Sequence, residues 1–320
     1  MGFSAIPPRA DEPTLLAALD LWTRRADAAI MHMSVPYKAL LSGTPAAEYV
    51  TTVDVPLANY YRAKDLAITV TLDVTNGLNR SAEAPELVEL GRSITEPAVQ
   101  QAYREYALAV ATIVRPDFLG LAAETNLIRE AAPGPVYAAL VAMTNAAAAG
   151  IAATSPPRPV LFVSVQVEVA WGIPPQSGYR GVERDFADFS FVTALGLSSY
   201  PYFVYADPDQ VPLDYYHRLR NGRSLPLLVV EGGWTSGNVG AIVSSPEIQA
   251  RYFRRHERVL DSARAVAMFQ LTFTDLDVES FDLPPGTSLG PFAQLGLVDV
   301  HLAPKRVLAT YDSIFARSRR

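Results

Sequence analysis

The 320-residue chain has no cysteine. That removes disulfides, thiolate metal sites and cysteine nucleophiles from consideration, and it leaves the compartment open. Histidine is nearly as scarce: His32, His217, His256 and His301 are the full set, and no HExxH spacing joins any two of them. A zinc hydrolase is therefore disfavoured, and no metal or cofactor is expected. Long cationic runs are missing too, apart from the terminal Arg317-Ser318-Arg319-Arg320. With a formal net charge of −6 and a pI near 5.3, the chain is not expected to hold nucleic acid or anionic lipid by charge. No stretch reads as long and apolar enough to span a membrane. Residues 1–10 lack the basic start and apolar region of a signal peptide. There is no linker, low-complexity segment or convincing internal repeat. What is present is a globular composition, 49% hydrophobic and 19% charged, rich enough to bury a large core.

Short apolar runs alternate with helical stretches along the whole length. Strands are predicted at 2–7, 28–35, 67–73, 118–123, 160–167, 191–198, 227–230 and 265–273. Between them lie helical patterns at 12–25, 56–64, 95–113, 138–153, 212–220 and 305–315, with a further helix opening at Ser245-Pro246-Glu247. Thr95 is a candidate N-cap with Pro97 in the first turn, and Asn221-Gly222 is a left-handed stop. Several strands are apolar without alternation, as when both faces are buried. Eight β-then-α units predict an α/β fold of the (β/α)8 TIM-barrel type, a single domain over residues 1–320. An open doubly wound sheet would carry a glycine-rich turn after its first strand, and Pro8-Arg9-Ala10-Asp11 stands there instead.

In such a barrel, chemistry gathers at the C-terminal ends of the strands. Those ends supply His32, Pro36 and Tyr37, then Asp73 and Asn76, then Glu124 and Asn126. The later strands add Gln166, Glu168 and Trp171, then Ser198-Ser199-Tyr200-Pro201-Tyr202, then Glu231 and Trp234, then Gln270, Asp275 and Asp277. This set is acidic and aromatic, with few cations. It suits a neutral polyhydroxylated ligand, whose hydroxyls meet carboxylates and amides while its apolar face stacks on an aromatic ring. It suits a phosphorylated ligand poorly. Glu124 and Glu231 each end a buried run, where a charge must reach a rim because unpaired burial is costly. Two such carboxylates are what glycoside hydrolysis uses.

Three segments carry a family resemblance. Ala123-Glu124-Thr125-Asn126 resembles an Asn-Glu-Ile-Asn motif at the end of a fourth barrel strand. Leu195-Gly196-Leu197-Ser198-Ser199-Tyr200-Pro201-Tyr202 resembles a Gly-Leu-Ser-Tyr-Tyr-Pro run on a sixth, and Val229-Val230-Glu231-Gly232-Gly233-Trp234 a nucleophile strand. Leu295-Gly296-Leu297-Val298-Asp299 with Ala303-Pro304-Lys305 resembles a last strand-to-helix connection. Together they are similar to clan A glycoside hydrolases, most of all to the arabinogalactan endo-1,4-β-galactosidase family. The resemblance implies a retaining β-glycosidase acting on poly- or oligosaccharide, with Glu124 as acid/base and Glu231 as nucleophile. It also implies that Tyr200 or Tyr202 hydrogen-bonds the nucleophile, that Asn126 shapes a sugar subsite, and that the protein is exported. A monomer is expected.

The chain also departs from the family. Ala123 stands where clan members place Asn, His32 and no Arg ends the second strand, and the family's His and Trp after strand three are absent from Leu72-Asp73-Val74-Thr75-Asn76-Gly77. These departures support an alternative, a catalytically weakened or inactive barrel that binds carbohydrate. Other readings stay open at single residues. Glu168 is a third rim acid or the partner of Arg180 or Arg184. Trp171 and Trp234 stack on sugar or pack under loops. Gly232-Gly233 reads as a flexible loop, and Asp275-Leu276-Asp277-Val278-Glu279 as a solvated loop in preference to a calcium site.

Overall fold

The computed structural model describes residues 1–173, 178–284 and 286–317. Of the basic tail, Ser318, Arg319 and Arg320 lie outside the described residues. Eight strands, β1 Gly2–Ser4, β2 Ala28–Ser34, β3 Ala67–Asp73, β4 Phe118–Gly120, β5 Val160–Gln166, β6 Ala194–Ser199, β7 Leu227–Gly232 and β8 Ala267–Gln270, form one closed parallel barrel in sequence order. Helices separate them, so the expected (β/α)8 architecture is the observed one.

Differences cluster at strand ends. β4 stops at Gly120 instead of running to residue 123, because the chain bends through Leu121, Ala122 and Ala123 into a left-handed Glu124. β7 runs two residues further than its apolar pattern, so Glu231 lies within the strand. The helical pattern at 212–220 yields only a 3-10 turn, His217–Arg220, ending at left-handed Asn221. The 95–113 pattern forms the helix Pro97–Ala109 with Glu96, not Thr95, at its N-cap, and one π turn to Val114. Ser245 caps its helix as read, accepting the Ile248 N–H.

Internal contacts group the chain into two compact units. The first comprises Met1–Ile30, Val167–Gly181 and Leu197–Arg320, the second Met31–Gln166 and Val182–Gly196. In the first, Gly2↔Ala28 and Gly2↔Phe269 set the registers of β1 with β2 and β8. Phe3 packs there against Trp22, Phe273 and Tyr311 at 5.0–5.8 Å between ring centroids. In the second, Thr69↔Phe118 and Phe118↔Val160 join β3, β4 and β5. The Phe162 ring takes the space beside two bare α carbons: a Cβ on Gly120 or Gly196 would lie 2.6 or 2.7 Å from it.

One expectation is corrected here. The helix Gly134–Ala152 is long and apolar enough, by length and composition, to cross a membrane. The fold uses it as a barrel helix: it buries Val136, Leu140, Met143 and Ile151 and packs on Pro97–Ala109. Its run of alanines makes the exposed side nearly as apolar as the buried one, so composition alone does not separate the two uses.

Candidate active site

In the second unit the site is built around a cation that sequence reading passed over. β3 ends at Asp73, and the loop after it folds on Asn76, whose side-chain oxygen accepts the N–H groups of Leu78 and Asn79 at 2.9 and 3.1 Å. This turn delivers Arg80 into the interior, where it is 7% exposed. Its Nε donates to Glu124 Oε2 at 2.9 Å, and its Nη1 to Asp73 Oδ1 at 2.6 Å and Thr75 Oγ1 at 3.3 Å. Burial works against the guanidinium charge, but Asp73 and Glu124 outweigh it and hold the group charged more firmly than usual. Gly77 leaves room for this cluster, since a Cβ there would meet Asp73 Oδ2 at 2.7 Å.

Glu124 is itself buried and strained. It has φ 49° and ψ 47°, the left-handed region, which costs a non-glycine residue about 1–2 kcal/mol. Strain of this kind concentrates at functional sites. Its backbone is held from both sides: Ser164 Oγ accepts its N–H at 2.9 Å, and its carbonyl accepts Leu127 and Ile128 N–H to open the helix Thr125–Ala131. Thr125 and Arg129 of that helix both donate to buried Asp185, at 2.7 and 2.9 Å.

Asn126, expected to shape a sugar subsite, is used otherwise. Its amide donates to the Gln166 carbonyl at 2.8 Å, and its oxygen accepts Gln166 N–H at 2.8 Å and Leu127 N–H at 2.9 Å. The side chain acts as a short extra ladder along β5. Replacing it by Ala is expected to cost about 1–3 kcal/mol for each Gln166 backbone group left buried without a partner. Urea unfolding would show this loss, while a sugar contact would instead show as a raised KM. Gln166 is buried beside it, and His32 is half-buried on β2.

In the first unit, half-buried Glu231 receives the Tyr200 hydroxyl on Oε1 at 2.5 Å, a short charge-assisted bond. Tyr202 does not share this role; its hydroxyl donates to the Pro291 carbonyl at 2.8 Å. Gly232 and Gly233 are close-approach positions, not a flexible loop. A Cβ on Gly232 would lie 2.5 Å from the Ser199 carbonyl, and one on Gly233 2.6 Å from Gln270 Nε2. Trp234 is 1% exposed, donates to Ser244 Oγ at 3.1 Å and has Tyr252 and Tyr202 against its ring. It therefore packs beneath the site and offers no free face for stacking.

Trp171 differs. It lines a cleft of about 470 Å³ with Gly172, Ile173, Gly178, Phe203, Val204 and Tyr205. Its indole N–H is fixed on the Tyr215 carbonyl at 2.9 Å, and Arg218 lies 5.1 Å from the ring centroid. From exposed Phe203 a run of rings leads to Tyr200, 6.0 Å away, and on to Phe292. Glu168 is buried and accepts Tyr215 and Ser199 hydroxyls at 2.9 and 3.3 Å. Arg184, considered as its partner, pairs with Asp188 at 2.8 Å. Asp275 and Asp277 face Lys305 and Arg9 at 2.6 and 3.1 Å, so their oxygens are engaged by cations.

Sequence reasoning missed Arg80, Tyr215 and Tyr216. Arg80 had one available signal, an isolated cation in the turn-rich Asn76-Gly77-Leu78-Asn79 stretch just beyond a strand end. No family model matches the sequence, and none of the curated proteins does. Solved structures match in fold across the chain. An exo-β-1,4-mannosidase from Opitutaceae bacterium strain TAV5 aligns with a TM-score of 0.71 at 15% identity, over 98% of this chain and 58% of the other. Xylanase 10B from Thermotoga maritima gives 0.62 at 14%, over 98% and 94%. The Ruminococcus gnavus β-glucuronidase gives 0.60 at 12%, over 98% and 49%, so the chain spans about half the length of the glucuronidase and slightly more of the mannosidase. At these identities the likeness establishes the (β/α)8 fold.

Proposed function

We propose that the chain is a retaining β-glycosidase that cuts poly- or oligosaccharide, with Glu231 as nucleophile and Glu124 as acid/base. The observation that carries this reading is the 2.5 Å bond from Tyr200 to Glu231 at the end of β7. A phenol donating to a half-buried carboxylate keeps it aimed, as a nucleophile requires. Strained, buried Glu124 at the end of β4 supports the second role. Retention by such a pair requires the two carboxyl groups to stand about 5–5.5 Å apart. The fold neighbours include a β-1,4-mannosidase, a xylanase and a β-glucuronidase, which supports a β-linked carbohydrate. Trp171 and Phe203 are the stacking surfaces. The galactanase likeness rests on the strand-four, strand-six and strand-seven motifs, so the reading extends to the clan's chemistry and not to galactan.

A barrel that binds sugar without cutting it is the second reading. Arg80 favours it by occupying one Glu124 oxygen, and Ala123 by omitting a 2-hydroxyl contact. Trapping separates the two. An activated 2-deoxy-2-fluoro β-glycoside should form a stable ester on the peptide containing Glu231, seen by mass spectrometry, and proton NMR should show the β-anomer released first from an ordinary aryl glycoside. An ester elsewhere, or the α-anomer first, contradicts the assignment; neither turnover nor ester favours the binding barrel.

A further inference from the structure

Glu168 is a buried carboxyl that this two-glutamate chemistry does not use. It lies just past the end of β5, in the turn Val167–Ala170, and is 4% exposed. Its partners are consecutive residues at the end of β6. Ser199 Oγ donates to Oε1 at 3.3 Å, and the Tyr200 backbone N–H also bonds the carboxylate. Tyr215 adds a third donor at 2.9 Å. The hydroxyl of the same Tyr200 ends on Glu231.

A donor count extends the chain inward. Tyr216 has one hydroxyl proton, and it goes to Ser199 Oγ at 3.1 Å. Its oxygen must then accept from His256 Nε2, 2.9 Å away. His256 is thus the Nε2–H tautomer, and its buried Nδ1 is left without a partner. Burial pushes His256 down to about 3, so the ring is neutral at working pH. Every donor in the series His256, Tyr216, Ser199 points toward Glu168, an arrangement that the ionised carboxylate, an acceptor at both oxygens, satisfies best.

We propose that Glu168 is a positioning residue for the Tyr200–Glu231 pair, its carboxylate fixing the end of β6 so that the Tyr200 hydroxyl stays on the nucleophile. This rests on the glycosidase reading and adds a pH control to it. Among the described residues, the titratable groups around Glu168 include Tyr202, Tyr205, Tyr215, Tyr216 and Tyr252, with His256 beyond Tyr216. Burial raises all five tyrosines, so of this set Glu168 alone titrates near neutrality. Burial pushes it up to about 7, and its donors from Tyr215, Tyr200 and Ser199 oppose that shift.

The test is kcat and KM against pH, on whichever 4-nitrophenyl β-glycoside the wild type cleaves. Wild-type kcat should fall as pH drops through about 7. Glu168→Gln should lower kcat roughly 10–100-fold, the scale of a slightly misplaced reacting group, with KM within about twofold and no limb near neutrality. Tyr215→Phe removes a donor to the charged form, so its limb should move to higher pH. The same titration should show in heat. The native state keeps the Glu168 proton to higher pH than the unfolded chain, so stability falls as pH rises from about 4.5 to about 7. Glu168→Gln should therefore unfold at a higher temperature than wild type at pH 8, a margin that closes toward pH 5. Wild-type kcat and pH profile in Glu168→Gln overturn the proposal; if that variant does not fold, an unmoved limb in Tyr215→Phe does so. If Glu231 fails to take the ester label, or the wild type shows no turnover, the underlying reading falls and this inference with it.

Discussion

Glu231→Gln is expected to lose turnover by roughly 10⁴-fold or more while folding normally. The carboxamide matches the carboxylate in shape, and its oxygen can still accept the Tyr200 hydroxyl now bound at 2.5 Å. What disappears is the charge that attacks the anomeric carbon, so the covalent intermediate cannot form. Azide added to the truncated Glu231→Ala should restore turnover and release an α-glycosyl azide, since a small anion can enter the space the side chain leaves. Glu124→Gln should behave differently. A substrate with a good leaving group needs little acid assistance, so the glycosyl-enzyme forms; its hydrolysis then slows by roughly 10²–10⁴-fold for want of a base. Azide should rescue that variant with a β-glycosyl azide. Opposite anomers from the two rescues would fix both roles in one experiment. Wild-type turnover in both variants would remove the two glutamates from the mechanism.

The fold was legible because the barrel repeats one signal. Each β-then-α unit pairs an unbroken apolar run with a 3.6-residue pattern, and eight repeats outvote an error in any one of them. Errors fell where local rules yield to neighbours. β4 ends early because Glu124 turns left-handed to meet Ser164, and no pattern in Phe118-Leu119-Gly120-Leu121-Ala122-Ala123 encodes that partner. Glu231 was legible as a strand-end carboxylate and Tyr200 as part of a tyrosine-proline turn. The choice of Tyr200 over Tyr202 was not, because it depends on which hydroxyl reaches Glu231 and which reaches Pro291. Asn126 and Trp234 carry the residue types of a sugar site, yet they are consumed by Gln166 and by Ser244 with Tyr252. Residue type limits what a side chain can bond; the fold decides what remains to be bonded. Arg80 shows the converse, a functional candidate with no motif, brought to Glu124 by the Asn76 turn.

Arg80→Met should destabilise the protein by about 3–5 kcal/mol, the usual cost of stranding buried charge by deleting its partner. The side chains here are 6% exposed for Arg80, 10% for Glu124 and 20% for Asp73, so water replaces little of what is lost. Two carboxylates depend on the one guanidinium, through different nitrogens, which places the effect at the upper part of that range. Arg80→Lys keeps the charge but cannot send two fixed N–H groups in two directions, so it should fall between. Adding Asp73→Asn to Arg80→Met should recover part of the loss at pH 7, since one of the two uncompensated charges is then gone. Turnover should fall in Arg80→Met as well, because the guanidinium fixes the carboxyl of a residue whose backbone is already strained. Urea midpoints at pH 7 measure the first effect, and a loss below about 1 kcal/mol would show that solvent already carries these charges. Full activity in a folded Arg80→Met protein would separate Glu124 from its ion pair altogether and leave Arg80 a structural cation.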